Sequence, residues 1–381
     1  MKNIVILSPA HPLRGGIASS TERLAVELQN NGYQVVIYSF SLQYPGFLFP
    51  GKTQYSDDPA PPGLDIRPKV NSVNPLNWVR VGLELKNRRP DLILTRYWLP
   101  FMGPSLGTIL NIARRNGHTR TMCIADNVIP HERRPGDRLF TRFFIHNVEA
   151  FIVMSRSVKK DIRQFTRQKP VEFIPHPIYD NYGPRVSRAE ALHHLGLSEE
   201  FRYILFFGFI RDYKGLDLLL KAMANPRLRQ RPVRLLVAGE YYGNAAFYEN
   251  LIRSEGIENQ VIMKTEFIPS EMVKYYFGAA DLVVQPYKSA TQSGISQLAY
   301  HFEKPMVVTR VGGLPEIVEH GKAGYVTDVH EDAIAAAILD FFDHNRLAEL
   351  TAGVRQNKAL FSWENMVRGI EKLYARIRTP D

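Results

Sequence analysis

The 381-residue sequence contains a single cysteine, Cys123, so no disulfide can form within the chain. A lone thiol outside any paired motif is typical of a buried structural residue, and it fits a reducing, cytoplasmic setting. The sequence also has no run of 18 apolar residues, which a membrane-spanning helix requires. Its first residues, MKNIVILSPAHPL, are too poor in apolar positions for a signal peptide and predict a buried strand instead. We therefore expect a cytoplasmic protein.

Common signatures of cofactor and metal sites are missing as well. No two glycines are spaced G-x-G, which argues against the dinucleotide fingerprint of nicotinamide and flavin enzymes. Neither a D-x-D motif nor a His/Cys pair at ligand spacing is present, so we expect no metal and no cofactor. Residues 46–53, GFLFPGKT, match the P-loop pattern, but Pro50 lacks the backbone N–H that a phosphate cradle needs. The negative charge of any bound phosphate must then be neutralised by side chains and helix N-termini.

The net charge of +10 is carried by the first half of the chain. Residues 1–175 contain 24 Lys and Arg against 13 Asp and Glu, whereas residues 176–381 contain 24 against 25. A basic half indicates an anionic partner, such as a membrane surface, a lipid-phosphate acceptor or nucleic acid. Because no nucleic-acid-binding module accompanies the charge, we expect no nucleic-acid partner.

Short buried strands alternate with helical segments, which predicts parallel sheets covered on both faces. The alternation breaks once, at Phe173–Pro184, where three prolines without a regular period favour a linker. We therefore expect an α/β protein with two doubly wound, Rossmann-like domains, 1–175 and 186–359, facing a cleft. The predicted strands are Asn3–Ser8, Gln34–Tyr38, Leu92–Thr95, Thr121–Ala125 and Phe151–Met154, then Tyr203–Phe207, Arg234–Ala238, Gln260–Met263, Leu282–Gln285 and Met306–Thr309.

Several loops that follow predicted strands carry residue types that bind phosphates. Gly15 and Gly16 precede a helix and allow a ligand to approach the backbone. Arg211 and Lys214, after the first strand of the second domain, can hold a diphosphate and neutralise a departing one. Small polar residues open a later helix near Ser293 and leave N–H groups for an anion. Each of these stretches has an alternative interpretation. The glycines can form a simple turn, Arg211 and Lys214 can be two solvated charges, and the residues near Ser293 can form an ordinary N-cap.

Taken together, these stretches resemble the GT-B glycosyltransferases, in particular the retaining family 4 (glycosyl transferases group 1). The resemblance covers almost the whole chain and is strongest over 204–326, through FGFIRDYKG, LLVAGE, YYFGAADLVVQPY and KPMVVTRVGGLPEIVEHGKAGYV. It implies transfer of a sugar from a nucleotide-diphosphate donor to a glycan or lipid-linked acceptor, with retention of configuration and without a metal. It also implies that a final helix, about 360–378, crosses back to the first domain; the apolar stripe of Trp363–Ile377 fits such a helix.

The resemblance also assigns roles to individual residues. Arg211 and Lys214 correspond to the pair that holds the diphosphate and acts in catalysis. Glu316 follows a glycine pair and either caps its own short helix or accepts hydrogen bonds from a ligand. The implied donor-binding residues are Gly15, Gly16, Gly208, Glu240, Thr291, Gln292, Ser293, Gly294 and Glu316.

The chain departs from the family pattern between its two flanking prolines, Pro286 and Pro305. Ala290 and Leu298 stand where the family usually has two glutamates, the first holding the sugar and the second the ribose. The TQSG segment must make these contacts instead, or the donor is held with less specificity. One alternative is a nucleotide-sugar-binding relative in which the loss of both glutamates marks lost catalysis. The other is an enzyme of another class on the same fold, such as a nucleotide-sugar epimerase.

A second departure lies in the first domain. Asp126 occupies the place of a histidine that many members have close to the transferred sugar, and a carboxylate there suits an oxocarbenium-like centre. We expect it to be catalytic, with Asn127 and His131 on the acceptor side. An aspartate that caps a turn is the alternative.

Residues 133–147 alternate arginines with apolar side chains. Arg134, Arg138 and Arg142 lie at helical spacing, which predicts a basic amphipathic helix able to rest on an anionic membrane. The apolar residues of this segment are Leu139, Phe140, Phe143, Phe144 and Ile145. We expect a protein located peripherally at the cytoplasmic face of the membrane. The alternative is an ordinary surface helix with aromatic core residues and a solvated rim.

Overall fold

The computed structural model describes residues 1–46, 53–56, 59–130 and 134–378. The chain divides into two compact units, Met1–Pro175 together with the segment from Trp363 onward, and His176–Ser362. Each unit is built on a parallel sheet with helices packed against it.

The first unit contains seven strands and six α-helices in its described part. The strands are β1 (Asn3–Leu7), β2 (Gln34–Leu42), β3 (Asp65–Asn71), β4 (Leu92–Tyr97), β5 (Arg120–Ala125), β6 (Ala150–Val153) and β7 (Val171–Phe173). The helices are α1 (Gly16–Asn30), α2 (Pro75–Arg88), α3 (Gly103–Ala113), α4 (Asp137–His146), α5 (Arg156–Arg163) and the C-terminal helix (Trp363–Arg378). The sheet order β3-β2-β1-β4-β5-β6-β7 places the reversal of winding between β1 and β4.

The sheet of the first unit is covered on both faces, which is why its central strands are apolar throughout. Successive side chains of β1 point to opposite faces, so Val5 packs with α2, α3 and α4 while Ile4 packs with α1. The C-terminal helix joins that second face. It contributes Trp363, Met366, Val367, Ile370, Leu373 and Tyr374 to the core, so the predicted apolar stripe is confirmed.

The second unit contains six strands and nine α-helices in its described part. The strands are β8 (Arg202–Phe207), β9 (Val233–Ala238), β10 (Val261–Lys264), β11 (Leu282–Gln285), β12 (Met306–Thr309) and β13 (Gly324–Thr327). The helices are α6 (Arg188–Leu195), α7 (Leu216–Met223), α8 (Pro226–Arg229), α9 (Ala245–Glu255), α10 (Val273–Ala279), α11 (Gly294–His301), α12 (Leu314–Ile317), α13 (Glu331–Asp343) and α14 (Leu347–Lys358). The order β10-β9-β8-β11-β12-β13 places the reversal between β8 and β11.

The predicted α/β class with two doubly wound sheets is confirmed, but three strands were missed. The edge strand β3 reads DIRPKVN, with charges and a proline that an edge tolerates. Strand β7 has only three residues, and its last one, Phe173, lies in the stretch predicted to be a linker. Strand β13 has four residues and begins at a glycine, so it is too short for a pattern to identify.

Among the described helices, none has the length and apolar character needed to cross a membrane.

Candidate functional site

The carboxyl ends of β8 and β11 meet at the point where the winding of the second sheet reverses. In doubly wound sheets, the loops at this point diverge and leave room for a ligand. The loop after β8 runs from Gly208 to Gly215, and the loop after β11 runs from Pro286 to Ser293, directly before α11. The phosphate-binding residues predicted for the second domain lie mainly on these two loops.

Lys214 is a buried cation on the loop after β8, with only 9% of its surface exposed. Its Nζ stands 3.1 Å from the position that a Cβ on Gly208 would take, and 5.7 Å from the ring centroid of Tyr287. Burial, followed by the nearby charge of Arg211, lowers the pKa of Lys214 to about 8. The ammonium therefore lies in a site that favours a bound anion.

Arg211 supplies a second cation on the same loop. Its guanidinium lies over the ring of Tyr242, 4.7 Å from the centroid, and the ring of Phe209 packs against that tyrosine at 4.3 Å. In the described part of the chain, no carboxylate forms an ion pair with Arg211 or Lys214. Within the described residues, neither cation is therefore neutralised by an ion pair.

Helix α11 begins at this edge and is capped by Ser293. The Ser293 Oγ accepts a hydrogen bond from the Ile295 N–H at 3.2 Å and lies 3.3 Å from the Tyr287 hydroxyl. Gly294 is the first residue of the helix, and a Cβ there would stand 2.6 Å from the ring of Tyr179. Ile295 of this first turn and Lys214 Nζ both lie within 3.4 Å of the Cβ position on Gly208, so the positive end of the helix dipole lies near the buried ammonium of the loop after β8.

Hydrogen bonds join the loops after β8, β11 and β12 into one phosphate cradle, which we define as 208–215, 286–294 and 310–313. The Lys288 N–H donates to the Tyr213 carbonyl at 2.7 Å, and the Gly313 N–H donates to the Thr291 carbonyl at 3.1 Å. Gly312 has a φ of 50°, and a Cβ there would stand 1.5 Å from the Ala290 carbonyl oxygen. Only glycine fits at such a contact, so the cradle is a close-packed unit.

The remaining donor-binding predictions of the second unit lie beside this cradle. Thr291 and Gln292 are half-buried in the loop after β11. Glu240 follows β9, and its carbonyl accepts a hydrogen bond from the Ile210 N–H at 2.8 Å, which ties its loop to the loop after β8. Glu316 is exposed on α12, whose four residues follow the loop after β12.

The two positions where the family has glutamates differ in their surroundings. Leu298 is buried in the hydrophobic core of the second unit, whereas Ala290 is partly buried in the cradle. Next to Leu298, the fully buried Gln297 has no hydrogen-bond partner for either atom of its amide within the described residues. A buried amide without a partner is uncommon, and no sequence pattern predicts it.

The predicted glycine pair of the first unit stands at the start of α1. Gly15 precedes the helix with a φ of 112°, a conformation that favours glycine. Gly16 is the first helical residue, and both glycines are exposed. The first turn of α1 contains no acidic side chain, so its positive end is not neutralised locally.

Asp126 forms an ion pair with Arg96, a residue that the sequence reasoning missed. Its Oδ2 accepts from Arg96 Nε at 2.9 Å, and its Oδ1 pairs with Nη2 of the same guanidinium. Arg96 is 2% exposed, and its Nη1 also donates to Ser20 Oγ at 2.7 Å. The sequence signal for Arg96 is an arginine within the buried strand LILTRY, because an arginine is almost never fully buried unless it is paired. The guanidinium holds the carboxylate in one orientation and offsets its charge.

Of the two residues predicted for the acceptor side, Asn127 and His131, only Asn127 can be placed beside this pair. The backbone N–H groups of Asp126 and Asn127 both donate to the Tyr97 carbonyl, at 2.8 and 3.2 Å. The side-chain oxygen of Asn127 is buried and has no hydrogen-bond partner within the described ranges. His131 lies outside the described residues.

The predicted basic amphipathic helix is α4, but it is shorter than expected. It begins at Asp137, so Arg134 precedes the helix. The prediction that Arg134, Arg138 and Arg142 lie along one face of this helix is therefore wrong. Phe144 and Ile145 are buried in the core rather than on the exposed face. Three apolar side chains remain exposed, namely Leu139 at 68%, Phe140 at 37% and Phe143 at 39%.

Metal-binding side chains are not grouped in the described part of the chain. There, no set of three or more His, Cys, Asp or Glu residues is placed to hold an ion.

Two family models match successive parts of the chain. The model "Glycosyltransferase Family 4" matches residues 14–181, and "Glycosyl transferases group 1" matches residues 187–358. The two doubly wound sheets and these matches define a GT-B glycosyltransferase. The chain belongs to the glycosyltransferases of family 4 and group 1.

Curated relatives and solved structures agree with this membership. The D-inositol 3-phosphate glycosyltransferase of Thermobifida fusca is 33% identical over 203 residues, which are 49% of this chain and 45% of that protein. The protein of the same name from Corynebacterium urealyticum is 26% identical over 309 residues, or 76% of this chain and 72% of that protein. The match thus spans less than half of the first relative.

The fold is that of several solved glycosyltransferases. Sucrose-phosphate synthase from Thermosynechococcus elongatus superposes with a TM-score of 0.76 at 18% identity, covering 99% of both chains. Anabaena HepE in complex with UDP-glucose superposes with a TM-score of 0.72 at 17% identity, covering 99% of this chain and 100% of that one.

Proposed function

We propose that the protein transfers a sugar from a nucleotide-diphosphate donor to an acceptor, and that the phosphate cradle binds the donor diphosphate. The observation that carries the proposal is the pair Arg211 and Lys214. Both are cations without a carboxylate partner among the described residues, and Lys214 is buried. A diphosphate would supply the missing negative charge and further favour the charged form of the lysine.

The same groups would act in the chemical step. As the bond between sugar and phosphate breaks, negative charge grows on the departing diphosphate. Arg211, Lys214 and the start of α11 at Ser293 and Gly294 would stabilise that charge, and such preorganised groups can contribute several kcal/mol. Because two side chains and a helix end supply the positive charge, we propose that no metal or other cofactor is required. Retention of configuration is proposed from the family resemblance.

Residues of the first unit would then orient the sugar and the acceptor. Asp126, held by Arg96, presents a fixed carboxylate that suits an oxocarbenium-like centre. Asn127 has a buried side-chain oxygen available for a further hydrogen bond. Gly15 and Gly16 would let a phosphate approach the start of α1. His131 is retained as an acceptor-side candidate from the sequence alone.

UDP-glucose is the donor to test first, because a neighbour of the same fold, HepE, has been solved with it. The purified protein is incubated with UDP-, GDP- and ADP-sugars, with and without a glycan or lipid-linked acceptor fraction, and glycosylated product is detected by mass spectrometry. Product formation that depends on the acceptor supports the proposal. Conversion of the donor to an isomeric nucleotide sugar, with no acceptor product, would assign an epimerase instead.

A nucleotide-sugar-binding protein without activity is the second candidate. The observation that favours it is Leu298, buried in the core at a position where the family has a glutamate. Saturable binding of a nucleotide sugar, with neither transfer nor hydrolysis on any acceptor fraction, would select this candidate.

We also propose that α4 docks on an anionic membrane, so that a lipid-linked or polymeric acceptor is used at the cytoplasmic face. Leu139, Phe140 and Phe143 are exposed beside Arg138 and Arg142 on this short helix. Apolar side chains can enter the interface while each arginine gains about 1 kcal/mol near anionic lipid.

Vesicle sedimentation tests this docking. Binding is expected with anionic vesicles, weakens as salt rises, and falls in an Arg138→Glu/Arg142→Glu variant. Lys159→Glu/Lys160→Glu on α5 is the control, since it changes the net charge equally on a helix without exposed large apolar residues. Equal loss in both variants would assign the binding to overall charge rather than to α4.

A further inference from the structure

Lys288 connects the loop after β11 to the loop after β8 through its side chain as well as its backbone. It lies on the loop after β11, and its Nζ contacts Asp212 Oδ1 at 2.7 Å and Asp217 Oδ2 at 3.0 Å. Asp212 belongs to the loop after β8, and Asp217 lies in the first turn of α7. One ammonium on the loop after β11 thus holds two carboxylates, one on the loop after β8 and one on the helix that follows it.

These carboxylates create an electrostatic problem for a site that binds a diphosphate. Asp212 stands in sequence between Arg211 and Lys214, and its side chain is 85% exposed, so it is free to adopt other rotamers. An acidic side chain at this point would compete with a diphosphate for the two cations. Within the described ranges, the only ion-pair partner of either Asp212 or Asp217 is Lys288.

We propose that Lys288 is a positioning residue of the donor site, which keeps Asp212 and Asp217 away from Arg211 and Lys214. The inference rests on the proposed function, because it concerns the same diphosphate site. It also explains why an acidic residue can stand inside the segment RDYKG without neutralising its neighbours.

The role is separable from a general contribution to folding. The Lys288 N–H donates to the Tyr213 carbonyl whatever the side chain, so the loops stay joined when the ammonium is removed. The pair with Asp212 is exposed to solvent, and such pairs contribute little to stability. Burial opposes the charged form of Lys288, but the hydrogen bonds that its ammonium donates to Asp212 and Asp217 raise its pKa overall, so it remains an ammonium at neutral pH.

The test measures the dissociation constant of UDP, GDP or ADP, whichever binds the wild-type protein most tightly, by calorimetry. Lys288→Met is expected to weaken binding by about tenfold, whereas Lys288→Arg retains most of it. Lys221→Met, which removes an exposed lysine of α7 in the same unit, is the control and should bind like the wild type.

A rescue distinguishes positioning from a structural role. Asp212→Asn removes the competing charge, so the Lys288→Met/Asp212→Asn variant should recover most of the lost affinity. A merely structural role of Lys288 predicts no recovery. Unchanged affinity in Lys288→Met, or no recovery in the double variant, overturns this inference alone. A wild-type protein that binds none of the three nucleotides overturns the proposed function and the inference with it.

Discussion

The ammonium of Lys214 lies in tight contact with the position that a side chain at Gly208 would take. A Cβ on Gly208 would stand 3.1 Å from Lys214 Nζ and 3.3 Å from a methyl carbon of Ile295 on α11. Gly208 also has a φ of 94°, which L-residues with a side chain rarely adopt. One glycine therefore allows both the turn after β8 and the close approach of the cation to the backbone.

Replacing this glycine tests that relationship. Gly208→Ala should displace Lys214 and weaken binding of a nucleoside diphosphate, in addition to destabilising the fold by about 1–2 kcal/mol through backbone strain. Gly196→Ala is the control, since its φ is 65° and nothing lies within 4 Å of its Cβ position. Chemical denaturation and calorimetry would compare the two. An equal effect of both substitutions on nucleotide affinity would contradict the role of Gly208.

The pKa of Lys214 predicts how donor binding depends on pH. Burial lowers this pKa to about 8, and a bound diphosphate favours the ammonium and raises it again. Binding should therefore take up protons near pH 8, and affinity should fall as pH rises above that value, by at most about tenfold per pH unit for one proton. Calorimetry in buffers of different ionisation enthalpy measures the uptake.

The matched variant for this pH dependence is Lys214→Arg, because arginine stays charged over the same range. Its nucleotide affinity should be nearly independent of pH between 7 and about 9.5. If the wild type and Lys214→Arg lose affinity in parallel, another group is responsible for the pH dependence.

Much of the second unit could be predicted because its candidate site residues come shortly after apolar strands in the sequence. The runs YILFF and LVVQ identify β8 and β11, so Arg211, Lys214 and Ser293 could be placed at their carboxyl ends. Lys288 escaped prediction because its partners, Asp212 and Asp217, are more than 70 residues earlier in the chain. Only the order of strands in the sheet brings them together.

The first unit was harder to predict for a related reason. Asp126 could be selected by its place in the family pattern, but a sequence does not show what a carboxylate contacts. Arg96 lies one strand away, on β4, and supplies the contact that determines the orientation of Asp126. The helix α4 was predicted in type but not in extent, because Gly136 before its first residue adopts a φ of 91°.

The buried pair of Arg96 and Asp126 should be important for stability as well. Arg96→Met removes the guanidinium that pairs with the Asp126 carboxylate, and breaking a buried pair in this way typically costs about 3–5 kcal/mol. Arg67→Met is the control, because its ion pair with Asp65 is exposed and should contribute less than about 1 kcal/mol. Urea denaturation of the two variants measures the difference. Similar stability losses would show that Arg96 holds Asp126 only weakly.

Transfer should not require a divalent ion. The charge of the leaving diphosphate is met by Arg211, Lys214 and the start of α11 in the proposed site, so activity should persist after treatment with EDTA. The assay compares initial rates before and after chelation, and again after addition of magnesium or manganese. Complete loss on chelation with recovery on addition of either ion would contradict the proposal.

The central claim is that the phosphate cradle binds the diphosphate of the donor. Its most direct test is a calorimetric titration of UDP, GDP and ADP into the wild-type protein and into Arg211→Ala, Lys214→Ala and the control Lys221→Ala. At least one nucleotide should bind the wild type and the control. Arg211→Ala and Lys214→Ala should each weaken that binding by about tenfold or more, or about 1.4 kcal/mol, while their thermal unfolding shows that both remain folded. Unchanged affinity in both folded variants would contradict the claim.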